Sequence, residues 1–100
     1  MYACRAWVNF NGTGTVAIRA SGNVTSITDN GTGDYTVNFT TAMPDANYST
    51  LLTSKTDGGG TAWVALRANT TNTTSASRVL TYTSGGGSGD SSEVNVAIFR

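Results

Sequence analysis

Residues 27–50 read ITDNGTGDYTVNFTTAMPDANYST, a turn followed by an alternating run and then the chain's only proline. Asp29-Asn30-Gly31-Thr32-Gly33-Asp34 has the make-up of a hairpin loop, because asparagine and glycine accept the positive φ that tight turns between strands require. After it Tyr35, Val37 and Phe39 fall on one side of an extended chain, and Thr36, Asn38 and Thr40 on the other. That is the period-two pattern of a strand with one dry and one wet face. Pro44 cannot donate to a ladder, so the strand ends before it.

The same grammar continues in both directions. Threonine, valine, tyrosine and asparagine recur, runs of alanine, leucine and glutamate are missing, and glycine interrupts at short intervals. The pattern predicts eight strands, at 4–10, 15–20, 23–29, 34–41, 48–55, 61–68, 78–84 and 93–100. Turn residues separate them: Asn11-Gly12, Ser21-Gly22, Asn30-Gly31, Met43-Pro44-Asp45, the glycines at 58–60, the stretch 69–77 and the glycine-rich stretch 85–90. One hundred residues without an internal repeat or linker make one domain. The expected fold is all-β, an antiparallel β-sandwich of about eight strands, with a small barrel as the other closure of the same pattern.

Several strands carry two demanding faces. Ala6, Val8 and Phe10 oppose Arg5, Trp7 and Asn9; Ala62, Val64 and Leu66 oppose Trp63, Ala65 and Arg67; Val94, Val96 and Ile98 oppose Asn95, Ala97 and Phe99; Val16 and Ile18 oppose Ala17 and Arg19. Val16, Ile18, Tyr35, Val37, Phe39, Val64, Leu66, Val94, Val96 and Ile98 are the expected core. The second faces mix large aromatics, arginine and alanine where threonine, lysine and glutamate would suit water. Tryptophan and arginine are enriched where proteins bury surface against partners. Trp7, Arg19, Trp63, Arg67 and Phe99 are therefore expected to line a subunit interface, with Ala17, Ala65 and Ala97 allowing close approach.

The chemistry that the sequence lacks narrows the function. Without histidine there is no Ser-His-Asp or Cys-His catalysis and no histidine-based zinc site. Most of the carboxylates stand beside turns, where aspartate is a routine turn former, and a glycosidase would need a pair of them across a cleft. The chain is expected to be no enzyme and to need no cofactor. Residues 29–34 are the best metal candidate, oxygen ligands with glycines that could wrap calcium, but they lack the bidentate glutamate of an EF-hand loop and read first as a hairpin. The glycine loops are not phosphate cradles, since no Gly-Lys-Ser/Thr follows them. Six basic and six acidic side chains cancel, which leaves no electrostatic footprint for nucleic acid. No apolar run is long enough for a helix to span a membrane, and residues 1–10 do not read as a signal peptide. The single cysteine, Cys4, excludes an internal disulfide, and its place in an apolar strand predicts a buried thiol. Trp7, Trp63 and Tyr82 also allow a different reading, a monomeric carbohydrate-binding module in which they stack on sugar rings.

The stretch ACRAWVNFNGTGTVAIRASGNVTSITDNGTGDYTVNFTTAMPDANYST, residues 3–50, resembles the C-terminal all-β module of tailed-bacteriophage tail fibres and related virion proteins. Cys4-Arg5-Ala6-Trp7-Val8-Asn9-Phe10, the Asp29–Tyr35 turn, and Phe39 followed by Ala42-Met43-Pro44 carry the resemblance; residues 51–100 follow only its style. It implies a fibre or knob domain that is homotrimeric, sits in the virion among other virion proteins, and in some relatives meets a host surface glycan or protein receptor through loops near the tip. On that expectation the receptor-facing loops would include Asp57, Gly58, Gly59, Asn72 and Asp90. Such modules follow a long shaft, whereas this sequence opens at Met1, as an independent head or tail decoration or an excised fragment would. No catalytic residue is implied, and neither nucleic acid nor membrane insertion is.

Overall fold

The computed structural model describes residues 3–55, 61–66, 72–83 and 85–100. Among these there is no helix. Eight strands follow one another: β1 (Cys4–Asn11), β2 (Ala17–Gly22), β3 (Val24–Gly31), β4 (Asp34–Phe39), β5 (Ser49–Ser54), β6 (Thr61–Leu66), β7 (Ala76–Thr83) and β8 (Val94–Phe99). They form two four-stranded sheets, β2-β1-β8-β5 (sheet A) and β3-β4-β7-β6 (sheet B). All pairings are antiparallel. The expected sandwich is what forms, with strand limits within two residues of those read from the pattern.

The chain changes sheet four times. Between β2 and β3 it does so at Asn23, whose φ is 56°. Asparagine tolerates this left-handed conformation better than most residues. Its side chain also ties the corner down: Nδ2 donates to the carbonyls of Arg5 and Thr41, each at 3.0 Å, and Oδ1 accepts from the Thr41 N–H at 2.6 Å. At the middle of sheet A, β1 pairs with β8, so that Cys4 lies opposite Phe99.

The inner faces are those that alternation marked. Ala6, Val8 and Phe10 with Val94, Val96 and Ile98 from sheet A meet Tyr35, Val37, Phe39 and Val79 from sheet B, all buried. Phe10 and Tyr35 touch edge to face, centroids 5.2 Å apart, and so do Phe39 and Tyr48 at 5.7 Å. Burying each large aromatic contributes roughly 1.5–3 kcal/mol. Val24, Met43, Tyr48 and Val79 add to the core beyond the expected set, while Val16, Ile18 and Val64 only flank it. Leu66 corrects the expectation: in edge strand β6 it stays 45% exposed.

Cys4 is a second correction. The run Cys4, Ala6, Val8, Phe10 predicts four inward side chains, but the register slips between Cys4 and Ala6. A bulge of this kind turns the residues beyond it to the other face. Cys4 therefore pairs with outward-facing Phe99, and its thiol is exposed.

A polar clamp closes one end of the sandwich. The Tyr35 hydroxyl lies 2.7 Å from Asp90 Oδ1 and 2.8 Å from the Gly12 carbonyl oxygen. The same Asp90 oxygen accepts the Gly33 N–H at 2.8 Å, and Gly12 N–H donates to Ser91 O at 2.8 Å. Burial, and then the neighbouring Asp90 carboxylate, push the Tyr35 phenol well above its ordinary range. Glycine is required at both contacts: a Cβ on Gly12 would meet the Tyr35 oxygen at 2.5 Å, and Gly33 has φ 65° with the Thr81 carbonyl 2.6 Å from where a Cβ would stand.

Candidate interaction surface

The outer face of sheet A concentrates the exposed apolar side chains. Register places Gly22, Trp7, Ala97 and Leu51 in one row across its four strands, and Ala20, Asn9, Asn95 and Thr53 in the next. Trp7 is 43% exposed and Leu51 53%, and Phe99 is exposed beside them. Between the indole and the leucine lies a shallow groove of about 340 Å³, floored by Ala97 and reaching Asn9, Asn95 and Thr53. Small Ala97 between two large side chains creates it. Trp7 is held in place from the other flank, because its indole lies over Gly22, where any Cβ would overlap the ring.

The second row is a chain of side-chain hydrogen bonds. Arg19 Nη1 donates to Asn9 Oδ1 at 3.3 Å, Asn9 Nδ2 to Asn95 Oδ1 at 2.7 Å, and Asn95 Nδ2 to Thr53 Oγ1 at 3.1 Å and Glu93 Oε2 at 3.2 Å. Arg19 Nη2 also donates to the Ser92 carbonyl at 2.5 Å. These amides thus find partners inside the chain. A face whose polar groups are already paired loses less when water leaves it.

The outer face of sheet B is built otherwise. Trp63, 46% exposed, stacks with Tyr82, centroids 5.8 Å apart and planes 26° from parallel. Further along, Arg78 makes a two-pronged bond with Asp34, both distances 2.8 Å. The remainder is a net of hydroxyls and amides: Asn38 Nδ2 donates to Ser26 and Thr28, and Asn30 Nδ2 to Thr36.

The expected interface set is therefore divided. Trp7, Arg19 and Phe99 share the outer face of sheet A, Trp63 stands on the opposite face of the sandwich, and Arg67 lies outside the described residues. Of the expected receptor-facing residues, Asp57, Gly58 and Gly59 lie outside the described residues as well. Asn72 is half-buried and accepts a hydrogen bond from Ser77 Oγ at 2.9 Å. Asp90 is half-buried and engaged in the clamp. The sugar-stacking trio divides likewise, Trp63 with Tyr82 and Trp7 on the far side.

Leu51 was not singled out from the sequence. Its neighbour Leu52 packs toward the core, and in a Leu-Leu pair alternation alone does not say which one faces out. In the calcium candidate, Asp34 is paired with Arg78 and Asp29 Oδ1 accepts the Gly31 N–H of its own turn at 3.0 Å. Among the described residues no group of three or more Cys, Asp or Glu side chains comes together as a metal site.

Comparison with known proteins returns no matching family model, no matching curated protein and no matching solved structure.

Proposed function

We propose that the chain is a non-catalytic bacteriophage virion protein, a tail-fibre-like module that assembles as a trimer through the outer face of sheet A and serves host attachment or decoration of the capsid or tail. The observation that carries the self-assembly is the Trp7–Ala97–Leu51 row with Phe99 beside it, a patch of the kind that marks an interaction site. The phage context rests on the resemblance of residues 3–50.

Geometry favours one face over two. A cyclic trimer contacts each neighbour through a different part of itself. If opposite faces of a sandwich met head to tail, the contact would repeat by translation and give a filament. Three copies of one face can instead surround an axis. Four strands at about 4.8 Å spacing make a face about 19 Å wide, and a triangle of such faces puts each about 6 Å from the centre. That is the reach of an indole or a leucine side chain. The paired Asn9–Asn95–Thr53 row tolerates such a place, and Trp63 would point away from the axis, toward other virion proteins or a host receptor.

The test is the molar mass in solution by light scattering. Three copies of the 10.3 kDa chain, about 31 kDa, are expected, and a monomer at all concentrations overturns the reading.

One observation favours a second reading. Trp63 and Tyr82 form a near-parallel aromatic pair on sheet B, which supports a carbohydrate platform of two rings instead of three. Quenching of tryptophan fluorescence by a sugar, lost in Trp63→Ala and kept in Trp7→Ala, would support it.

A further inference from the structure

Each sheet of the sandwich ends in two edge strands, and three of the four carry devices that discourage pairing. β3 has irregular register near both ends and carries Asp29. β6 slips between Thr61 and Trp63. β2 is interrupted where Asn9 and Phe10 pair with Ala20 and Ile18, which leaves Arg19 as the extra residue. Bulges and charges of this sort keep edges from joining other chains. β5 has neither: Ser49–Ser54 pairs with β8 in unbroken register and contains no charge, no proline and no glycine.

The free side of β5 can be assigned residue by residue. Lys55 N–H donates to Glu93 O at 2.9 Å, one step beyond the Ser54–Val94 pair. Antiparallel ladders alternate hydrogen-bonded and non-bonded pairs. Ser49, Leu51 and Thr53 therefore turn their backbone N–H and C=O toward β8, and Thr50, Leu52 and Ser54 turn theirs outward along the edge.

We infer that this edge pairs, antiparallel, with β2 of a second copy, so that sheet A of each subunit runs on into sheet A of the next. The inference rests on the trimer reading and deepens it. When three faces surround an axis, each corner brings one edge of a sheet against the opposite edge of its neighbour. Strand directions then decide the pairing. β1 and β5 run one way and β2 and β8 the other, so β5 and the neighbouring β2 meet antiparallel. On the outer row of β2 the small side chain of Ala20 leaves room beside it for Leu51 of the next copy. Neither device on β2 closes this stretch: the Arg19 side chain is folded onto the face and bonded to Asn9 and Ser92, and the bulge lies at Arg19, leaving Ala20–Gly22 in regular register with Asn9, Val8 and Trp7. Twelve strands close into a ring, and sheet A keeps no free edge.

Residue-resolved amide exchange on the native protein, at a concentration where its mass is measured in parallel, tests the pairing. The expected result is a trimer in which Thr50, Leu52 and Ser54 exchange as slowly as Leu51 and Thr53, at least ~100-fold below open-edge rates. A trimer in which those three amides exchange freely overturns the pairing and leaves the face-mediated trimer standing. A monomer overturns both. A dimer with the three amides protected overturns β2 as the occupant and assigns the edge to the partner's own β5.

Discussion

On the outer face of sheet A a tryptophan lies over a glycine, and on the outer face of sheet B a tryptophan lies against a tyrosine. The two indoles are almost equally exposed, 43% for Trp7 and 46% for Trp63, so burial does not tell them apart. Their neighbours do. Trp7 belongs to a row with Ala97 and Leu51 beside Phe99, an apolar surface with a recess in it. Trp63 and Tyr82 cover one another in part, and the strands beyond them carry an ion pair and a net of hydroxyls and amides that suit water. An exposed aromatic side chain is a weak sign of an interface alone and a stronger one when the strand next to it leaves a space.

The contrast is broken most sharply by removing each indole in turn. Trp7→Ala is expected to weaken each subunit contact by at least about 2 kcal/mol, as a central anchor does, and to shift the light-scattering mass toward the monomer while the far-ultraviolet spectrum keeps its β form. Trp63→Ala should leave the mass unchanged. The opposite outcome would transfer the assembly surface to sheet B.

A variant that belongs to neither face serves as reference. Tyr35→Phe removes the hydroxyl that joins Gly12 and Asp90, and should lower stability by about 1–3 kcal/mol in denaturant titration. The same group predicts a pH effect. Burial raises the Tyr35 pKa in the folded state, so the unfolded chain loses that proton first, near pH 10. The contribution is complete below pH 10 and falls as pH rises beyond it, with a slope of up to about 1.4 kcal/mol per pH unit. Tyr35→Phe should flatten that slope.

Three further substitutions have smaller effects. On sheet B, Asp34→Asn is expected to lower the denaturation midpoint only slightly, because the Arg78 side chain is about one-third exposed, and to leave the mass as it was. On sheet A, Thr50 Oγ1 is buried without a hydrogen-bond partner. Thr50→Val should be neutral or stabilise by up to about 1 kcal/mol, read as a shift of the denaturation midpoint. The slightest change belongs to the exposed pair of Arg100 and Asp45, where the guanidinium holds the carboxyl at about 2, below its ordinary 3.8. What that pair adds is present above pH 3.8 and is lost as pH falls toward 2. In Arg100→Ala the Asp45 titration followed by NMR should return toward 3.8.

Alternation in the sequence was enough to find the eight strands and to name Tyr35, Val37, Phe39, Val94, Val96 and Ile98 as core. It says which residues share the face of a strand, and nothing about which strands share a sheet. Trp7 and Trp63 look equivalent in their own strands and are parted only because β1 pairs with β8 while β6 pairs with β7, contacts between residues far apart in sequence. Cys4 was misread for a local reason, since a bulge leaves no mark in a pattern of period two. Asp90 had a readable clue: a tyrosine on a core-facing position needs a partner for its hydroxyl, and a carboxylate in a loop is one of the few available. The hairpin at 29–34 was legible because positive φ demands particular residues, and Gly31 and Gly33 take it up, at 140° and 65°.

The pairing of β1 with β8 has a kinetic consequence. The two central strands of sheet A come from residues 4–11 and 94–99, so half of the sandwich cannot close until residues 94–99 have left the ribosome. Structures dominated by such distant pairings fold on the slower end, in milliseconds to seconds. Until then the Trp7 strand waits, unpaired on the side that β8 will take and liable to join another nascent chain. A nascent chain shortened before Val94 would leave the β1–β2 hairpin and β5 with no strand to connect them.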